Sequence, residues 1–326
     1  MTKERILWID VAKGIAIVLM IIGHTVQFGT PIRNFIFSFH MPLFFMLSGY
    51  TIKIPIVEEC KWCDVLNKDI VRLLFPYLSV SFLSCIYEYC IKDNISFSET
   101  VLNWGERVFW GCGVNYLSHP AVGMLWFLIV LFWGKQIYRL IVCVLKRDFY
   151  VNLLIVFFPL VACGLRLLPQ SLDIALVALF YIHLGRLLKM HIITVHNNMT
   201  FICFFSGMYW AVCLYNNIYI EMAKRSYPFL FVSIFEAFAG SLCIIYLSHV
   251  IIDKNNSLCS FFQWAGINSL TILCLHSMDE YVKWIWKVNS ILISCLIRIL
   301  IVFLLLHMFL LLTKSQRHFL KNKNVI

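Results

Sequence analysis

The chain has 326 residues, of which 61% are hydrophobic and only 13% charged. A soluble domain carries roughly 25% charged residues and must still cover its surface with polar groups. Disorder, a nucleic-acid-binding module and a cytosolic enzyme are therefore excluded, and with a mean hydropathy of +0.83 the solvent for most of the chain is lipid.

A spanning helix needs about 20 mostly apolar residues. Ten stretches meet that need in chain order: 6–27, 32–54, 72–91, 121–143, 151–168, 172–190, 200–219, 229–251, 261–284 and 290–313. Their length and lack of strict alternation exclude strands. The fold expected is an all-α integral membrane protein, one bundle of about ten transmembrane helices. It forms a single domain over 1–326, with no appended soluble domain. The first stretch carries Asp10 and Lys13 and has no small-residue cleavage pattern, so it is expected to stay as a helix. The longest connections are 55–71 and 92–120. Pro55, Pro120, Pro169 and Pro228 fall at segment boundaries, whereas Pro42 and Pro76 fall inside segments and should kink them.

The net charge is +10. With the N-terminus in the cytoplasm, Lys and Arg in the connections favour the cytoplasmic side about two to one. Both termini are then cytoplasmic, with 55–71 inside and 92–120 outside. The basic excess belongs to topology, and no nucleic-acid partner is expected. Most of the thirteen cysteines stand singly in apolar runs and read as small core residues. Cys60 and Cys63 form a C-x-x-C without a second pair, so no metal site is expected. The halves show no repeat, which counts against an inverted-repeat transporter.

Ionisable groups inside lipid are costly and mark function by default. The densest set is Asp10, Lys13 and His24 in IDVAKGIAIVLMIIGHT. At about 100° per residue, Lys13 and His24 fall within about 20° of each other, and Asp10 joins the same stripe. The rise between Lys13 and His24 is about 16 Å. They therefore mark two ends of one polar track, Lys13 near the cytoplasm and His24 toward the outer leaflet. His40-Met41-Pro42 interrupts the next segment, and Arg72 stands at the mouth of the third, where it could meet phosphates. Asn268, Ser269 and His276 share a broad face of GINSLTILCLH; such groups also join helices in lipid. Glu236 needs a buried partner, and Arg298 is the expected one. His183, His249 and His307 read as core or interfacial residues, and Asp279 and Glu280 as solvated acids near the outer surface.

The spacing of Lys13 and His24, with ten residues between them, resembles the first-helix signature of acyltransferase family three. This is the large family of polytopic membrane enzymes that O-acetylate cell-envelope carbohydrates. FSFHMPLFFMLSGYTIK resembles its second-helix motif. KDIVRLLFPY, GMLWFLIVLF, FYIHLGRLLK and GINSLTILCLH resemble later family blocks in the same order. The resemblance runs from residue 5 to about 312. Lys13 stands where the family more often has Arg, as in the subgroup likened to fucose 4-O-acetylases. Lys holds an anion as a point charge rather than through a bidentate fork.

The resemblance implies an O-acetyltransferase of the cell membrane, multi-pass, with no bound cofactor. Acetyl-CoA would be the donor, entering from the cytoplasm, with Asp10, Lys13 and Arg72 at its binding site. The acceptor would be a sugar hydroxyl of a cell-envelope, capsular or exopolysaccharide carbohydrate. His24 would be the general base, since an imidazole with an unperturbed pKa near 6.5 suits that work. His40, Trp126, Asn268, Ser269 and His276 are the candidates for holding the acceptor or the oxyanion. The rival class is a transporter or flippase for a small polar or lipid-linked solute, which would need no acyl donor. A third is a membrane module of a larger assembly, whose role would survive loss of His24.

Overall fold

The computed structural model describes residues 5–55, 61–91, 96–117, 119–165, 167–191, 198–254 and 256–323, without the side chains of 280 and 315–323. Cys60 of the C-x-x-C pair, and Lys3, Lys92 and Arg166 among the cations of the connections, lie outside the described residues. Among the described residues there is no β-sheet, only isolated bridges between Tyr116 and His119 and between Glu221 and Ser226. The helices are α1 (Leu7–Thr25), α2 (Pro31–Tyr50), α3 (Trp62–Asp69), α4 (Phe75–Ile91), α5 (Phe97–Trp110), α6 (Trp126–Leu145) and α7 (Asp148–Gly164). They continue with α8 (Leu172–Met190), α9 (Met199–Tyr215), α10 (Phe231–Asp253), α11 (Ser257–Ile267), α12 (Ser269–Asp279), α13 (Lys283–Trp286) and α14 (Ile291–Lys323).

Helix occupies all ten expected segments, but fewer qualify as spans. Among the described residues, six helices are long and apolar enough to cross a membrane, and the α11–α12 pair makes a seventh if counted as one bent span. α7 and α9 are apolar but have only 17 residues each. α2 has the length and carries Arg33, Asn34, Ser38 and His40. Every residue from Ile36 to Leu47 is buried in protein, so α2 does not have to match lipid around its circumference. It runs through the bundle centre, packed on α1, α8 and α10.

Three expectations need correcting. The segment 261–284 is not one straight helix; it breaks at Asn268 and bends by 75°. Asn268 has left helical geometry, and its side-chain amide caps the carbonyl of Trp264. The segment 72–91 begins earlier, at Trp62, and passes through a π-helical turn at Ile70–Leu74 before Pro76. Proline lacks an N–H and crowds the carbonyl four residues back, which a widened turn relieves. That turn carries Arg72. The connection 92–120 contains helix α5, opened by a capping box between Ser96 and Glu99 and closed by Gly111 at φ +64°.

Small residues set the closest packing. A Cβ on Gly14 would overlap the backbone carbonyl of Phe262, and one on Gly266 would overlap that of Asp10. α1 and α11 therefore meet backbone to backbone. Gly49 and Gly185 do the same for α2 and α8, against Ile182 and Met46. Close approach of this kind drives helix association where burial in lipid offers no hydrophobic gain.

Candidate functional site

α1, α2, α6 and α12 surround two cavities that follow one another along α1. The first, of about 490 Å³, is lined by Lys13, Arg72, Lys53, Lys68, Lys135 and Arg139, with Asp69 as its one acid among the described residues. Asp69 is bound to Lys135, to Arg139 at 2.6 Å and to Gln136 at 3.1 Å. Arg139 also donates to the carbonyl of Lys53 at 3.0 Å. Among the described residues, neither Lys13 nor Arg72 has a carboxylate within ion-pair distance. The cavity thus carries a large excess of positive charge, because its single described carboxylate, Asp69, is shared by Lys135 and Arg139. Lys135 and Arg139 were not singled out from sequence; an Asp–Lys–Arg network joining two helices leaves no short-range signature.

The second cavity, of about 840 Å³, is lined by His24, His40, Arg33, Trp126, Glu221 and Arg298, among others. His24 stands in the last turn of α1, its ring 5.1 Å from that of Phe37 and 5.5 Å from that of His276. Behind it is a fully buried polar chain. His276 Nδ1 lies 2.8 Å from Asp279 Oδ2, and Arg298 clamps the same carboxylate at 2.6 and 3.0 Å. The third nitrogen of that guanidinium, Nη1, donates to the backbone carbonyl of His24 at 3.0 Å. Trp286 lies under the guanidinium, 4.0 Å from its ring centroid. An imidazole whose Nδ1 faces a carboxylate is held in one orientation and one tautomer, the arrangement that supports a proton-transferring histidine.

His40 is held differently. Its Nδ1 lies 2.9 Å from the carbonyl of Ile36, an obligate acceptor, so Nδ1 carries the proton and Nε2 the lone pair in the neutral ring. Across the cavity, Arg33 pairs with Glu221 at 2.9 Å and is sandwiched between Phe28 and Phe37 at 4.0 and 3.9 Å. Arg33 stands at the start of the second expected segment and Glu221 in the connection after the seventh, and nothing in the sequence pairs them.

The expected site residues therefore divide. Lys13, Arg72 and Ser269 line the basic cavity, and His24, His40 and Trp126 line the histidine cavity, which His276 backs. Asp10 lines neither, and its Oδ2 is buried without a hydrogen bond among the described residues. Asn268 also lies outside both linings, at the α11–α12 bend. One pairing and one exposure are corrected. Arg298 binds Asp279 and not Glu236, whose carboxylate is buried beside Ser38, Trp210 and the backbone of Ile220. Asp279 is not solvated: it is 1% exposed. The bend at Asn268 turns α12 and carries its last residue inward, which a single straight helix could not do.

Against known proteins, the family model described as an acyltransferase domain, of acyltransferase family three, matches residues 6–315. Nodulation protein NolL of Mesorhizobium japonicum is 30% identical over 142 residues, 38% of this chain and 37% of that protein. Nodulation protein NolL of Sinorhizobium fredii is 33% identical over 86 residues, 23% of each. The matched parts are well under two thirds of either relative's length. No solved structure matches.

Proposed function

The chain belongs to acyltransferase family three, whose model covers it from residue 6 to 315, and from that premise we propose that it is a cell-membrane O-acetyltransferase. It moves acetyl from cytoplasmic acetyl-CoA to a sugar hydroxyl of an envelope, capsular or exopolysaccharide carbohydrate. The observation that carries this is the succession of two cavities along α1, a basic one beginning at Lys13 and a histidine-lined one ending at His24. Phosphates of the donor bind Lys13 and Arg72 in the first. The thioester reaches the second, where the acceptor enters from outside.

In this mechanism His24 takes the proton from the acceptor hydroxyl as its oxygen attacks the thioester carbonyl. The tetrahedral intermediate collapses, the C–S bond breaks and the CoA thiolate leaves, taking back the proton from the imidazolium. Of the five candidates for holding the acceptor or the oxyanion, His40 and Trp126 line the cavity that holds His24; the His40 ring spends its N–H on the carbonyl of Ile36, which leaves Trp126. Its indole N–H is the donor proposed for the developing oxyanion. His276, oriented by Asp279, and the Arg298 hold on the His24 carbonyl position the base.

The test is acyl-donor dependence. Purified protein in proteoliposomes should release CoA from radiolabelled acetyl-CoA and label added envelope polysaccharide. A transporter or flippase would do neither. Arg72→Ala should raise KM for acetyl-CoA about 10-fold or more with kcat little changed, because a remote phosphate contact binds ground and transition states alike. A fall in kcat with KM unmoved would remove Arg72 from the donor site. Lys13→Arg should keep the enzyme active, because the cation is retained.

The proposed topology has ten membrane-embedded segments and both termini in the cytoplasm, with the short helices α7 and α9 completing the bundle. It places α5 outside. A cysteine at Asn103, exposed on α5, should react with a membrane-impermeant maleimide added to intact cells. Labelling only after lysis would invert the topology.

A further inference from the structure

The two cavities have different linings that share one side chain. α1 contributes Met20 to the basic cavity and Gly23 to the histidine cavity. α6 changes sides between Phe127 and Trp126, and α12 between Leu273 and Ser277. α2 changes sides at Met41, between His40 and Phe44: Met41 borders both cavities, and among the described residues no other side chain does. Met41 is 6% exposed and sits between His40, which faces the acceptor side, and Pro42.

We propose that Met41 is the gate between donor and acceptor cavities and the residue that sets which acyl groups pass. This rests on the acyl-CoA reading above. Donor phosphates held at Lys13 and Arg72 stay in the basic cavity, so the thioester end must cross to the histidine cavity to come within reach of His24. Crossing takes the donor's arm past Met41, whose side chain is unbranched. Methionine has three rotatable bonds and no branch at Cβ, so it can swing aside by a rotamer change without moving the helix. The space on both sides gives it somewhere to go. With no donor present it closes the path between the two aqueous sides. The histidine cavity, at about 840 Å³, is roomy beside an acetyl group. Volume there does not explain a preference for small acyl groups; the bulk that can pass Met41 does. The class admitted is short, unbranched acyl thioesters, and the class rejected is branched or aromatic ones.

Two substitutions test this in opposite directions, with Met41→Leu as the isosteric control. Met41→Ala should raise the ratio of kcat/KM for isobutyryl-CoA to that for acetyl-CoA by about 10-fold or more, the scale on which pocket size discriminates. Met41→Trp should leave CoA binding within about twofold of wild type, measured by isothermal titration on purified protein, while transfer from acetyl-CoA is lost. The flanking cavities can take up either change in size without repacking the bundle. An unchanged donor ratio in Met41→Ala, or normal transfer by Met41→Trp, would overturn the gate. Loss of CoA binding in Met41→Trp would also overturn it, by making Met41 a wall of the donor site. If the wild-type protein neither binds CoA nor turns over any acyl-CoA, it is the acyltransferase mechanism that fails, an outcome distinct from an active enzyme with an unaltered donor profile.

Discussion

His24→Gln is expected to lower acetyl transfer per folded molecule by about 10²–10⁴-fold, the usual cost of removing a general base. Glutamine keeps a hydrogen-bonding side chain of similar reach but cannot accept a proton near neutral pH. The histidine sits in the last turn of α1 and lines the larger cavity, with His276 on one side and Phe37 on the other. His24→Ala should be equally inactive and equally well inserted, because α1 is fixed by its backbone contact with α11 and not by this ring. A packing histidine would behave otherwise, with Ala reducing yield and Gln restoring the rate. Transfer measured per molecule of detergent-purified protein separates the two, and a Gln variant near the wild-type rate would end the assignment of His24 as base. His276→Ala should fall short of that loss, since it acts on the orientation of the base and not on the proton itself.

The parts of this site legible in the sequence are those governed by local periodicity. Lys13 and His24 share a stripe because both belong to one uninterrupted helix, and the structure distributes them to two successive cavities as the rise between them requires. The ends of α5 were also written locally, in the Ser96–Glu99 capping box and Gly111. A hydropathy scan passes over them because that helix is amphipathic. Long-range choices were not legible. Arg298 had two buried acids to choose from, Glu236 and Asp279, and sequence cannot say which. The choice follows from the 75° bend at Asn268, set by the backbone leaving helical geometry after Gly266, where α11 presses on the carbonyl of Asp10. Likewise α2 looked like one lipid-facing span among ten. Its polar residues made sense only once it was seen enclosed by α1, α8 and α10.

Asp279→Asn should destabilise the protein by about 3–5 kcal/mol, because removing one member of a buried ion pair strands the other charge. Here the stranded group is Arg298, which is fully buried and has Asp279 as its carboxylate at 2.6 and 3.0 Å. The damage should reach the site by two routes. His276 loses the carboxylate that fixes its Nδ1, and Arg298, no longer clamped, loosens its hold on the His24 carbonyl at the end of α1. Stability and activity can be separated with a second substitution. Replacing both members, as Asp279→Asn with Arg298→Met, removes the uncompensated charge, and buried pairs exchanged for apolar groups often cost little. The double variant should recover most of the thermal stability in detergent and little of the transfer rate, because the orientation of His24 and His276 is still missing. Recovery of both together would make the Asp279–Arg298 pair a packing element with no part in positioning the base. A single Asp279→Asn variant with wild-type melting temperature and rate would show that the pair carries neither role.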